Sequence, residues 1–228
     1  MIPRTRLLIP LMALAVLAAA CGSDATTAAG ASHGTDDDSI DEPTETTALD
    51  QAADPPAEPL AVGAVEVSGD PLPVYTDSAD PAIGSPAPLA TSVDFSGQPT
   101  EIAADGRAKV LVFVAHWCSH CQDEVPRLTH WLDDGNKPDS VDFITIVTAI
   151  DPTASNYPPS AWLGEEHLDT PMLLDDEAST LLNAFGLSAF PFWVVIDADG
   201  NVVGRTSGGL GAEGFDAMAA AAVTGEGA

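Results

Sequence analysis

The chain has 228 residues, 35 of them acidic and only 7 basic, which sets the formal net charge at −28. That balance excludes a nucleic-acid binder working through a basic face, and it excludes electrostatic adhesion to anionic lipid. Once an N-terminal address and a spacer are set aside, the remaining length suits one domain with its own core.

The chain opens with Arg4 and Arg6, then the apolar run "LLIPLMALAVLAAA" from Leu7 to Ala20, then Cys21. A basic start, an apolar stretch too short to cross a bilayer and a run of small residues read as a secretory signal over residues 1–20. A cysteine directly after the small residues resembles a bacterial lipobox, with Ala18 where a leucine is usual and Leu17 one place earlier. The resemblance implies lipidation at Cys21 and an extracytoplasmic protein held to the cell membrane by that lipid. With Cys21 acylated, Cys118 and Cys121 are the only thiols left and can pair only with each other. From Gly22 to about Leu60 the chain is Ala, Thr, Asp, Glu and Pro, with almost no large apolar residue and no Lys or Arg. Such a segment cannot bury enough surface to offset its ordering entropy. Residues 21–81 are therefore expected to be a lipidated cysteine followed by a disordered acidic tether, and residues 82–228 the folded domain.

Within that domain "LATSVDF" and "PTEIA" flank Gly97 and suit a small additional hairpin. "KVLVFVA" (Lys109 to Ala115) is an unbroken apolar run and reads as a buried strand. A helix follows from Cys118, with Cys121, Val125, Leu128 and Leu132 on one face and Gly135 closing it. "VDFITIVTAI" (Val141 to Ile150) reads as a second buried strand, residues 161–168 as a short helix, "PMLL" (Pro171 to Leu174) as a short strand, and "DEASTLLNAFG" as a helix stopped by Gly186. "PFWVVIDADGNVVGRTS" is two strands joined at Asp199-Gly200. A final Ala-rich helix runs from about Glu213 to Ala222. Strands alternating with helices and ending in a hairpin imply an α/β class with a mixed sheet covered on both faces.

The stretch "VLVFVAHWCSHCQDEVP" (Val110 to Pro126) carries the chemistry. A strand running into Trp-Cys-x-x-Cys and at once into a helix puts Cys118 at a helix N-terminus, where unpaired N–H groups and the dipole favour an anion, here a thiolate. Cys121, one turn on, lies within disulfide reach but is more shielded. Dithiol exchange needs this asymmetry: an exposed attacker and a protected partner that resolves the mixed disulfide. A structural disulfide gains little from so short a loop. A c-type haem site needs His directly after Cys121, where Gln122 stands. Zinc wants further ligands, and there is no second cysteine pair. No metal and no cofactor are expected.

From about Ile83 to Gly209 the sequence resembles the extracytoplasmic thioredoxin-like proteins of the TlpA, ResA and DsbE type. "IGSPAP" with "DFSGQPTEI" resembles their opening segment and first hairpin. "VLVFVAHWCSHCQDEVPRL" is similar to their active-site strand and helix, including Pro126 where that helix kinks. "AFGLSAFPFWVVIDADGNVV" is similar to the segment with their cis-proline, here Pro191. The resemblance implies a thioredoxin-like fold with an extra N-terminal hairpin, and a thiol-disulfide oxidoreductase acting on exported protein thiols and disulfides with an unidentified redox partner.

It also implies roles. Cys118 attacks, Cys121 resolves, and Pro191 brings the backbone at Phe190 beside the disulfide as an edge for an incoming peptide. Trp117, Phe190 and Phe192 supply apolar walls. Glu124 stands where the ResA-like branch has a glutamate; three residues after Cys121, it shares that residue's helix face and can carry its proton. The alternative is an ordinary surface acid in the first helical turn. The buried acid found six residues before the first cysteine in thioredoxin is absent, since Val112 is there. His120, between the cysteines, lowers the Cys118 pKa and makes the disulfide more oxidising, whereas the charge of Glu124 acts oppositely, so the direction of electron flow stays open. Two other readings also stay open: a copper metallochaperone using Cys118, Cys121 and His120 or His116 as ligands, and a thiol peroxidase, although the Pro and Thr expected ahead of its cysteine are missing.

Overall fold

A computed structural model of the chain describes residues 65–77 and 79–227. The signal segment, Cys21 and the stretch from 22 to 60 lie outside the described residues. In chain order the elements are β1 (Glu66–Ser68), β2 (Leu89–Val93), β3 (Pro99–Ile102), β4 (Ala108–Val114), α1 (Ser119–Asp133), β5 (Val141–Val147), α2 (Pro159–Glu165), β6 (Met172–Leu174), α3 (Thr180–Ala184), β7 (Phe192–Ile196), β8 (Val202–Ser207) and α4 (Gly211–Thr224).

β4 is buried along its whole length, as the apolar run from Val110 to Val114 demands of a central strand, with Lys109 buried against Asp105. It pairs in parallel with β5 and antiparallel with β7, in a sheet of order β6-β5-β4-β7-β8. Successive β4 side chains point to opposite faces. Val110, Val112 and Val114 join Val125, Leu128, Phe215 and Met218 under α1 and α4. Leu111 and Phe113 join Leu181, Phe185, Phe192 and Leu72 on the other face. The sheet is thus mixed and covered on both sides, as the element pattern predicts.

The expected hairpin is present as β2 and β3, but β1 pairs antiparallel with β2 and makes a three-stranded sheet. Ser92 Oγ donates to the Leu174 carbonyl at 2.5 Å and stitches this small sheet to β6. The folded region therefore reaches back beyond the expected start at residue 82. Leu72 N–H donates to Ala184 O and Tyr75 N–H to Gly186 O, each at 2.8 Å. Arg205, on β8, grips this strap. Its Nε and Nη2 reach the two Asp80 carboxylate oxygens at 2.9 and 2.5 Å, and its Nη1 donates to Pro73 O and Phe185 O at 2.9 Å each. The reason is that Val65, Val67, Leu72 and Tyr75 supply apolar surface that docks on the second cluster, unlike the polar stretch before them. The strap runs so close to Gly186 (φ +66°) that a Cβ there would lie 2.3 Å from Pro73 O, so only glycine fits.

Several boundaries differ from the sequence reading, most by a residue or two, and three have a visible cause. β5 stops at Val147, because Thr148 turns its hydroxyl to Asp175 Oδ2 at 2.7 Å and Ala149 adopts φ +52°. α3 covers only Thr180–Ala184, since Ser179 is left-handed and Asp175 and Asp176 accept the first helical amides. α2 begins at Pro159, behind the cis bond Tyr157–Pro158. Among the described residues no helix is long and apolar enough to cross a membrane.

Candidate active site

Cys118 is the N-cap of α1, with extended backbone (φ −77°, ψ 114°), and its Sγ accepts the Cys121 N–H at 3.3 Å. The turn before it closes through Cys118 N–H to Ala115 O at 3.0 Å. Both cysteines carry free thiols. Cys121 is 0% exposed and Cys118 8%, so the two differ in the expected sense, but Cys118 shows only an edge to solvent. Burial foremost, then the hydrogen bond and the charge of Cys118 and, least, the charge of Glu124, push the Cys121 thiol far above the ordinary thiol range.

Glu124 is 2% exposed, which removes the reading of it as a surface acid. Its Oε1 accepts Leu210 N–H at 2.5 Å and Gly211 N–H at 2.8 Å, the first amides of α4. Its Oε2 faces Arg127 Nη1 at 3.3 Å. The carboxylate thus caps α4 while lying on the Cys121 face of α1, and it complements the positive end of the α4 dipole. A Cβ at Gly209 would stand 3.0 Å from Glu124 Oε2, so the glycine makes room for the carboxylate.

The Phe190–Pro191 bond is cis. Pro191 O accepts Gly208 N–H at 2.8 Å, and Trp193 Nε1 donates to Gly208 O at 3.1 Å. Pro191, Glu124, Val112 and Trp193 meet beneath the dithiol helix around a gap too small to hold a water molecule. Trp117, 41% exposed, stands edge-on to half-buried Phe190, ring centroids 5.7 Å apart at 84°. These two form the expected aromatic rim. Phe192 does not join them. It is fully buried and packs against Tyr75 and Phe113 on the opposite face of the sheet, because one strand step inverts its direction from that of Trp193. His120 is exposed on the first turn of α1.

His116 lies in the turn between β4 and α1. It is fully buried, with Nδ1 2.7 Å from Ser155 O and Nε2 accepting Asp151 N–H at 3.1 Å. Both nitrogens are engaged, so neither is offered to copper. No group of three or more His, Cys, Asp or Glu side chains converges among the described residues.

The Redoxin family profile matches residues 82–221. Among curated proteins none matches the sequence. Among solved structures, the chain is similar to a thiol:disulfide interchange protein of the thioredoxin family from Chlorobium tepidum TLS, with 25% identity, TM-score 0.52, and 63% of this chain and 99% of that chain covered. It is similar in fold to StoA from Bacillus subtilis, with 20% identity, TM-score 0.50, and 60% of this chain and 98% of that chain covered. The matched residues include both cysteines, Glu124, the cis-proline and the whole five-stranded sheet, and on this ground the chain belongs to the Redoxin family, with a thioredoxin-like fold.

Proposed function

We propose that the chain is an extracytoplasmic thiol-disulfide oxidoreductase that exchanges its Cys118-Cys121 couple with exported proteins, held at the membrane by a lipid on Cys21. The observation that carries this reading is the unequal dithiol: one sulfur at a helix N-cap with an edge to solvent, the other sealed beneath it. The similarity to a thiol:disulfide interchange protein supports it.

In the reducing direction, the Cys118 thiolate attacks a substrate disulfide. A Cys118–substrate S–S bond forms as the substrate S–S bond breaks, and the departing sulfur takes up a proton. Cys121 then loses its proton to Glu124, attacks Cys118 Sγ and closes the Cys118–Cys121 disulfide, releasing the second substrate thiol. Two electrons pass to the substrate, and a separate dithiol partner restores the couple. Run backwards, the same steps oxidise a substrate, and the reduction potential of the couple against its compartment sets the direction. The backbone at Phe190 and Pro191 offers the edge for the peptide, and Trp117 with Phe190 its apolar wall.

The test is trapping. Cys118→Ser should abolish exchange, whereas Cys121→Ser should accumulate substrates as mixed disulfides, read on non-reducing gels after alkylation. Equal trapping by both variants, or turnover retained by either, overturns the assignment.

A further inference from the structure

The active-site turn is tied to one loop, residues 149–157, by bonds that the exchange chemistry does not use. The His116 ring spans the loop through Ser155 O and Asp151 N–H. Because Nε2 accepts a backbone N–H, the ring proton sits on Nδ1 and donates to Ser155 O. The His116 carbonyl accepts Gln122 Nε2 at 2.8 Å and Asn156 Nδ2 at 3.4 Å. Tyr157 stands edge-on to the ring, centroids 6.0 Å apart. One residue on, Trp117 Nε1 donates to Ala149 O at 2.7 Å. Ala149 and Asn156 hold φ +52° and +59°. An alanine in that region persists only where its surroundings over-determine it.

With both nitrogens committed, His116 has no free site for proton transfer, so whatever it contributes passes through the loop. The nearest exposed product of that anchoring is Trp117, a large apolar surface held still beside Cys118. An immobile wall costs a docking peptide less ordering than a mobile one.

We propose that His116 is a positioning residue for substrate selection: by locking residues 149–157 to the active-site turn it fixes Trp117 against Phe190 and favours polypeptides with an apolar side chain beside the reacting cysteine. This rests on the exchange reading above.

Two synthetic disulfide peptides, identical except for Phe or Ser next to the reacting cysteine, test it with the full chain. His116→Leu should raise KM for the Phe peptide about fivefold, as loss of the anchoring bonds warrants, with a smaller change in kcat and in KM for the Ser peptide. His116→Gln keeps a donor and an acceptor and should recover most of the loss. In a Trp117→Ala background, His116→Leu should add nothing further to KM, whereas a merely structural role would add its cost again. Equal effects on both peptides, no recovery by Gln, or additive losses in the double variant overturn the proposal. Wild-type protein that turns over neither peptide, while Cys118 still reacts with iodoacetamide, overturns the exchange reading and this proposal with it.

Discussion

A carboxylate with almost no access to water survives only where donors surround it, and Glu124 has found two amides and a guanidinium. Its two candidate roles push the chemistry in opposite directions. As a negative charge it is the least of the causes that raise the Cys121 pKa, after burial and the hydrogen bond and charge of Cys118, so Glu124→Gln should let the thiolate form at slightly lower pH and quicken resolution. As a proton carrier its loss should slow resolution by about 100-fold while attack by Cys118 stays nearly intact. We expect the slowing, and stopped-flow separation of attack from resolution reads the sign directly. Faster resolution in the Gln variant leaves Glu124 as a charge and a cap alone. The spacing of Glu124 from Cys121 was legible in the sequence because both sit on one helix. Its grip on α4 was not, since those amides lie 86 and 87 residues away.

At the scale of elements, the strap from Leu72 to Asp80 depends on a side chain from the far end of the chain. The Arg205 side chain is 0% exposed and that of Asp80 8%, so removing one partner strands a buried charge. Asp80→Asn should cost about 3 kcal/mol in urea unfolding. Burial alone would raise the Asp80 pKa, but the hydrogen bonds from Arg205 and Ala82 and the Arg205 charge outweigh it and hold the carboxyl below its usual value. A lowered acid contributes stability above its unfolded pKa, about 3.9, and loses it as pH falls through the folded one. The protection factors of the Leu72 and Tyr75 amides, taken against the intrinsic exchange rate at each pH, should therefore stay high at neutral pH and fall in acid below that point; pH-independent protection contradicts the role of the pair. β4 and the turn into α1 could be read from sequence because their signals are local: six apolar residues in a row from Val110 to Ala115, a cysteine just after His116 and Trp117, then a helical spacing. β1 has three residues, only the middle one half-buried, and carries no such signal. Likewise a lone arginine in a strand says nothing of the carboxylate 125 positions earlier.

At the scale of the whole molecule, the cations of the described residues are spoken for. Among the described residues, Arg107 holds Asp142, Lys109 holds Asp105, Arg127 holds Glu124, Lys137 holds Val141 O and Arg205 holds Asp80. With 35 acidic residues against 7 basic, most carboxylates repel one another without relief. Screening should then stabilise the fold: raising NaCl from about 0.05 M to about 1 M should lift the melting temperature by about 3 °C or more. A fall would mean that the ion pairs outweigh the repulsion. The composition announced the excess of charge but not that every described lysine and arginine is engaged within the fold, which only the tertiary contacts decide. This full engagement also governs encounters. A colliding protein finds no idle lysine or arginine on the described surface, so a basic partner is hastened toward the dithiol and an acidic one held off. The salt that steadies the fold erases that preference, which makes the pace of thiol exchange depend on the ionic strength around the protein.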